Sequence, residues 1–155
     1  MKPEDLEKLP PDVKKDFMKY AIKLAEKKKQ SAAHADFLTF TKHVWPQFIE
    51  GDHHKKIAEK FNRLAMGDCK RLIINMPPRH TKSEFASNLL PAWMIGRKPD
   101  LKIIQTTHTT ELAVRFGRKA KTLIDSPEYQ EIFKTRLKED SQAAGKWETQ
   151  QGGEY

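Results

Sequence analysis

Cysteine occurs once in the 155 residues, at Cys69. A single thiol cannot build a disulfide framework within one chain, and such scarcity fits a reducing compartment. No apolar run approaches the roughly 18 residues of a membrane-spanning helix. The N-terminus mixes acidic and basic side chains and lacks the basic-then-apolar order of a secretory signal. Six histidines are present, yet none falls in a C-x-x-C or H-E-x-x-H spacing, so a structural zinc is not expected. Internal repeats and low-complexity tracts are also missing. Leu, Ile, Val and Phe together make up only about a fifth of the chain, near the boundary with disorder. A core is therefore possible only if it is concentrated in a few segments.

What the chain does have is charge. Charged residues make up 32% and leave a net +8, which points to an anionic partner without specifying one. Residues 1–30 carry nine Lys against six acidic residues, the pattern of a solvated helix. Residues 97–121 carry Arg97, Lys98, Lys102, Arg115, Arg118, Lys119 and Lys121 against Asp100 and Glu111. The second stretch is the better candidate footprint for an anion.

Residues 1–10 are polar, and Leu9-Pro10-Pro11 stops any regular element there. The apolar spacing predicts an amphipathic helix over Asp12–Lys29, a second over Ala33–Val44, and a third opening at Gly51-Asp52 with Asp52 as N-cap. Gly67 is placed to end that third helix. The pattern then shifts. Arg71–Met76 is a short apolar run with β-branched residues, bounded by Gly67 and Pro77-Pro78, and predicts a strand buried on both faces. A helix over Lys82–Trp93 follows, weakened at Pro91, then a second strand over Leu101–Thr106. A helix over Thr109–Asp125 comes next, and a short helical stretch from Ser126-Pro127 through Phe133. After Lys134 the chain is polar, with Trp147 the one aromatic residue before Tyr155. Strand, helix, strand, helix implies an α/β fold with a parallel sheet. Two parallel strands do not make a stable sheet, so the expected domain is incomplete and the chain reads as truncated.

The most informative segment is Met76-Pro77-Pro78-Arg79-His80-Thr81-Lys82-Ser83, at the first strand-to-helix junction. Backbone N–H groups and the positive end of a helix dipole converge on an anion at such a junction. A phosphate-binding loop also needs a Lys for the outer phosphates and a Ser or Thr hydroxyl for Mg²⁺. Lys82 and Ser83 supply these in order. Against G-x-x-x-x-G-K-[ST], Met76 and Thr81 replace the two glycines, and a Thr is strained wherever the backbone needs a positive φ. The alternative is that Lys82 and Ser83 are ordinary first-turn polar residues.

The run from Arg71 to Glu84 resembles the deviant Walker A segment of tailed-phage terminase large subunits, whose loop commonly reads Pro-Pro-Arg-His-Gly-Lys-Ser. The resemblance continues upstream through Gly51-Asp52-His53-His54, Ile57 and Gly67-Asp68. Downstream it includes Pro91-Ala92-Trp93, Gly96-Arg97, Pro99-Asp100, Glu111-Leu112-Ala113 and Phe116-Gly117-Arg118, so it covers about residues 35–125. It implies a P-loop NTPase-like parallel sheet, incomplete here, preceded by a helical N-terminal segment. The implied division is a helical lead-in over 1–66, with a candidate adenine-binding segment near 48–57, and the first part of an ATPase domain over 67–155.

By this resemblance Pro78, Arg79, His80, Thr81, Lys82, Ser83 and Glu84 would surround ATP. Lys82 would contact the β- and γ-phosphates, Ser83 would hold Mg²⁺, and Arg79 would sense or stabilise the γ-phosphate. Arg79 and Lys82 are thus the candidate catalytic residues, and His53 is a candidate for stacking on adenine. Arg115, Arg118, Lys119 and Lys121 would face DNA phosphates. Plainer readings stand beside these: Arg79 pairing with a carboxylate, His53 as an exposed helix residue, and 115–121 as a solvated face. The implied partners are double-stranded DNA, a portal protein, a small terminase subunit and further copies in a ring, with no membrane. The implied place is the host-cell cytoplasm, docked on a procapsid. No apolar run ending in Asp-Glu supplies a Walker B, and no acidic cluster supplies the family's nuclease, so turnover by this chain unaided is not expected. Two alternatives remain: a non-catalytic basic nucleic-acid-binding module with a vestigial loop, and part of another helicase-like P-loop ATPase.

Overall fold

A computed structural model describes residues 10–140 and 143–155; the polar residues 1–9 lie outside that range. Helix α1 runs over Pro11–Ala35, longer at both ends than the apolar spacing predicts. Pro11 starts it and does not block it, because a first-turn residue has no intrahelical use for an N–H. Val13, Phe17, Tyr20 and Leu24 share one face of this helix and are exposed, so its first turns stand clear of the core. It ends where Asp36 turns extended (φ −125, ψ 125).

That same Asp36 caps α2, Phe37–Val44. Its Oδ2 accepts from the Thr39 N–H and hydroxyl, each at 2.7 Å, and its Oδ1 accepts from Asn62 Nδ2 at 2.7 Å. Asn62 Oδ1 in turn accepts from the Phe37 N–H at 2.9 Å, so one carboxylate–amide pair joins the start of α2 to α3. Helix α3 covers Asp52–Met66. Its N-cap is Gly51, not the expected Asp52, because the extended backbone (φ −123, ψ 166) falls at the glycine and Asp52 is already helical. Gly67 ends it in the left-handed conformation (φ 86), its N–H reaching Arg63 and Leu64 carbonyls.

After an extended segment and a loop, α4 (Lys82–Glu84) passes through a π-helical turn (Phe85–Leu89) into α5 (Leu90–Arg97). The junction residues all keep right-handed helical dihedrals, so the rod is continuous past Pro91, beyond the predicted end at Trp93. Leu90 N–H bonds the Phe85 carbonyl five residues back, immediately before the proline that has no N–H to offer. Helix α6 spans Thr110–Ile124 with Thr109 Oγ1 accepting from Leu112 N–H, and α7 spans Pro127–Ile132 with Ser126 as its cap. Both agree closely with the predicted stretches.

The core is aromatic and helical. Phe37 meets Phe61, Phe85 and Trp93 edge-on, with ring centroids 5.0, 5.4 and 5.5 Å apart. These are the geometries that ring quadrupoles prefer. Trp93, Tyr129 and Trp147 are buried with their polar ends bonded to the carbonyls of Ala33, Ala92 and Gly117. Trp147, isolated in the sequence, stacks on Tyr155 with the rings 4.8 Å apart.

The expected α/β fold, a P-loop NTPase-like parallel sheet, is not formed. Among the described residues there is no strand ladder; there are only isolated bridges joining Lys102 to Glu154, Leu137 to Thr149, and Glu148 to Glu154. Residues 71–76 and 101–106 are extended, but they alternate in burial: Leu72, Ile74 and Ile103 pack on the helices while Ile73 and Ile104 face outward. The 71–76 segment is predicted as a strand buried on both faces and 101–106 as a second strand; neither forms, and one face of each segment is open. Period-2 patterning makes a segment extended, but a sheet also needs a neighbour to accept its N–H groups. Residues 101–103 meet one residue of another segment, Glu154, through Ile103 N–H to its carbonyl (2.8 Å) and its N–H to the Leu101 carbonyl (3.1 Å), while Leu101 N–H turns back to the Lys98 carbonyl (3.0 Å). No helix among the described residues is long and apolar enough to cross a membrane.

Candidate phosphate-binding loop

Pro77-Pro78 offers no backbone N–H for strand pairing, and the chain turns within a few residues into α4. Two non-glycine residues of that turn take positive φ: Arg79 at 65° and Thr81 at 60°. Such dihedrals cost an L-residue about 1–2 kcal/mol, and a β-branched side chain is rare there. Thr81 thus carries the conformation that a glycine would adopt freely. With it, the eight residues Pro77–Glu84 line a concavity of about 200 Å³. Drug-sized ligands occupy roughly 300–1,000 Å³, so this space matches phosphate groups better than a whole nucleotide.

Lys82 and Ser83 are exposed at the concavity. Phe85 N–H is the first to return into the helix, to the Thr81 carbonyl at 2.9 Å, which leaves the preceding amides without an intrahelical acceptor. Neither Arg79 nor Lys82 forms an ion pair among the described residues. The plainer reading of Arg79, a guanidinium paired with a carboxylate, is therefore not the arrangement seen. His80 folds back, its Nδ1–H donating to the Pro78 carbonyl at 2.9 Å.

His53 and the segment before it do lie beside the loop. The His53 ring is 3.8 Å from His54 and 5.8 Å from His80, and Phe48 packs on His54 and Phe85. His54, not singled out from the sequence, is the buried member of this group. Its Nδ1 accepts from Gly51 N–H at 2.9 Å and its Nε2 lies 2.7 Å from Thr81 Oγ1. Burial and then the neighbouring His53 hold its pKa below the ordinary imidazole value, His80 adding to this and Glu50 opposing it. The visible signal was Gly51-x-x-His54, a side chain three residues past an N-cap that can reach back to its amide.

Glu84 and Lys119 are brought together, although the resemblance gives them separate tasks at ATP and at DNA. Glu84 Oε2 accepts from Lys119 Nζ at 2.8 Å and Oε1 from Asn88 Nδ2 at 2.7 Å. Arg115 and Arg118 remain exposed, whereas Lys119 and Lys121 are half-buried, so the four cations do not form one outward face. Among the described residues no group of three or more His, Cys, Asp or Glu could hold a metal ion. The donor at the loop is the Ser83 hydroxyl. Mg²⁺ usually takes few protein ligands and fills the rest with phosphates and water, so this donor suits Mg²⁺ arriving with a nucleotide and not a free-standing metal site. No protein-family model, no curated protein and no solved structure matches the chain.

Proposed function

We propose that the Pro77–Ser83 loop binds the phosphates of Mg²⁺-ATP, and that the chain is the ATP-binding portion of a terminase-like motor that packages double-stranded DNA. The observation that carries this reading is the loop itself: two positive-φ residues curve it around a phosphate-sized concavity with an unpaired lysine and a serine at its rim. The reading rests on that loop and on the sequence resemblance around it, not on a sheet. Lys82 contacts the outer phosphates, Arg79 adds a second positive charge toward the γ-phosphate, and the free amides at the start of α4 donate to the remaining phosphate oxygens. Mg²⁺, held through Ser83, would neutralise charge that develops between the β- and γ-phosphates. His53 offers its ring to the base. Arg115 and Arg118 meet DNA phosphates, contacts that carry no sequence information and so suit a translocating enzyme. The motor works as a ring with a portal and a small subunit, docked on a procapsid in the host cytoplasm.

The test is titration calorimetry with Mg²⁺-ATP, comparing the chain with Lys82→Ala. Loss of binding in a folded variant supports the phosphate site. Equal binding by both, or none by either, refutes it. A second reading, a basic nucleic-acid module, draws on the exposure of Arg115 and Arg118 and is favoured by salt-dependent DNA binding that neither ATP nor Lys82→Ala alters.

A further inference from the structure

Thr81 sits in a conformation its own side chain disfavours, so something outside the loop must hold it there. A chain of hydrogen bonds does so, and each member fixes the role of the next. Gly51 N–H donates to His54 Nδ1 at 2.9 Å. A nitrogen that accepts carries no proton, so the proton of the neutral ring is on Nε2. Nε2–H therefore donates to Thr81 Oγ1, 2.7 Å away. The threonine hydroxyl is left to donate in turn, and it does so to the His80 carbonyl at 2.6 Å. The His54 ring is only 5% exposed and lies against Phe48 and Phe85, with centroids 4.8 and 5.1 Å away. It is thus held in plane by the core and in tautomer by the α3 N-cap.

We propose that His54 is a positioning residue: it clamps Thr81 in the left-handed conformation and so keeps the Pro77–Glu84 concavity shaped for phosphates. The part of this that concerns binding rests on the phosphate reading above; the part that concerns conformation can be read in the protein without nucleotide. A histidine in place of glycine's conformational freedom has a consequence that can be tested by substitution. Where residue 81 is glycine, the hydroxyl handle is gone and the clamp has nothing to hold, so His54 should cease to matter.

The experiment compares the chain, His54→Ala, His54→Gln, Thr81→Gly and the His54→Ala/Thr81→Gly double variant. Circular dichroism confirms that each is folded. NMR reads the imidazole ¹⁵N shifts of His54 and the amide-to-α coupling of residue 81, and calorimetry reads Mg²⁺-ATP affinity. The expected results are an unprotonated Nδ1 with a protonated Nε2 in the native chain, and loss of the left-handed coupling at Thr81 in His54→Ala. ATP should bind about tenfold more weakly to His54→Ala, which is about 1.4 kcal/mol. His54→Gln, whose amide offers both an acceptor and a donor, should recover most of that. In the Thr81→Gly background, His54→Ala should change affinity less than twofold.

A Thr81 coupling unchanged by His54→Ala overturns the clamp, whatever the nucleotide does. An equal loss of affinity in both backgrounds also overturns it, because a merely structural histidine acts that way. If Lys82→Ala leaves ATP binding intact, the phosphate reading fails by itself, and the coupling at Thr81 then decides the clamp alone.

Discussion

Replacing Phe37 by alanine asks whether one core holds the loop in place. The ring is fully buried and meets Phe61 of α3, Phe85 of the π-helical turn and Trp93 of α5 edge-on. Phe→Ala in a core costs about 3–5 kcal/mol, and each aromatic edge contact is worth about 0.5–1.5 kcal/mol beyond burial. Because three such contacts go at once, the upper half of that range is expected, about 4–5 kcal/mol. That is a large part of the roughly 5–15 kcal/mol that stabilises a typical domain. Urea unfolding followed by circular dichroism gives the number, provided that the m-value stays constant. Phe17→Ala is the internal control. Phe17 lies on the solvent-facing part of α1 and is 37% exposed, so its loss should cost no more than about 0.5 kcal/mol. A loss below about 1 kcal/mol for Phe37→Ala at unchanged m, or equal losses for the two variants, would refute the reasoning, because Phe37 would then not be the point where α2 and α3 meet the helix that follows the loop.

Asp36→Ala should destabilise by about 0.5–2 kcal/mol as a lost N-cap, and more where Asn62 is left without its partner. Burial raises the Asp36 pKa, but hydrogen bonds from Thr39, Asn62 and Leu38 outweigh it and hold the carboxyl below its ordinary 3.8. The folded protein therefore binds the proton less readily than the unfolded chain. The contribution is fully present above about pH 3.8 and is lost as pH falls through the lower folded value. The stability gap between the chain and Asp36→Ala should be narrower at pH 3 than at pH 6; an equal gap at both would count against it. For DNA binding, Arg115→Ala and Arg118→Ala should each lower the slope of log affinity against log salt by about 1. Lys119→Ala should leave that slope unchanged, since its ammonium already belongs to Glu84. A slope that drops with Lys119→Ala would show that the ion pair opens to DNA.

The elements that the sequence made legible are those whose causes are local. Gly67 ends α3 because a left-handed residue is needed there and glycine takes that shape without cost. Thr109 and Ser126 begin α6 and α7 because their hydroxyls accept the first free amides. The boundary between α1 and α2 was blurred because its cause is not local: Asp36 bends the chain and is held by Asn62, 26 positions away. The same division runs through the candidate site. Lys82 and Ser83 at the head of a helix and the strain of a threonine in glycine's place followed from residue type and order, whereas His53 came in only through the family resemblance. The pairing of Lys119 with Glu84 across 35 positions did not, nor did the hold of His54 on Thr81 across 27.

Where a turn or a cap was enough, the sequence by itself determined the outcome: helices at 110–124 and 127–132, the end of α3 at Gly67, and a loop before Lys82. Whether the extended segments pair, which cations stay free, and what keeps Thr81 in its costly conformation were decided only by the tertiary structure. Dihedral preference is a property of a residue and its neighbours, whereas a hydrogen bond or an ion pair belongs to two groups whose meeting depends on how the whole chain packs.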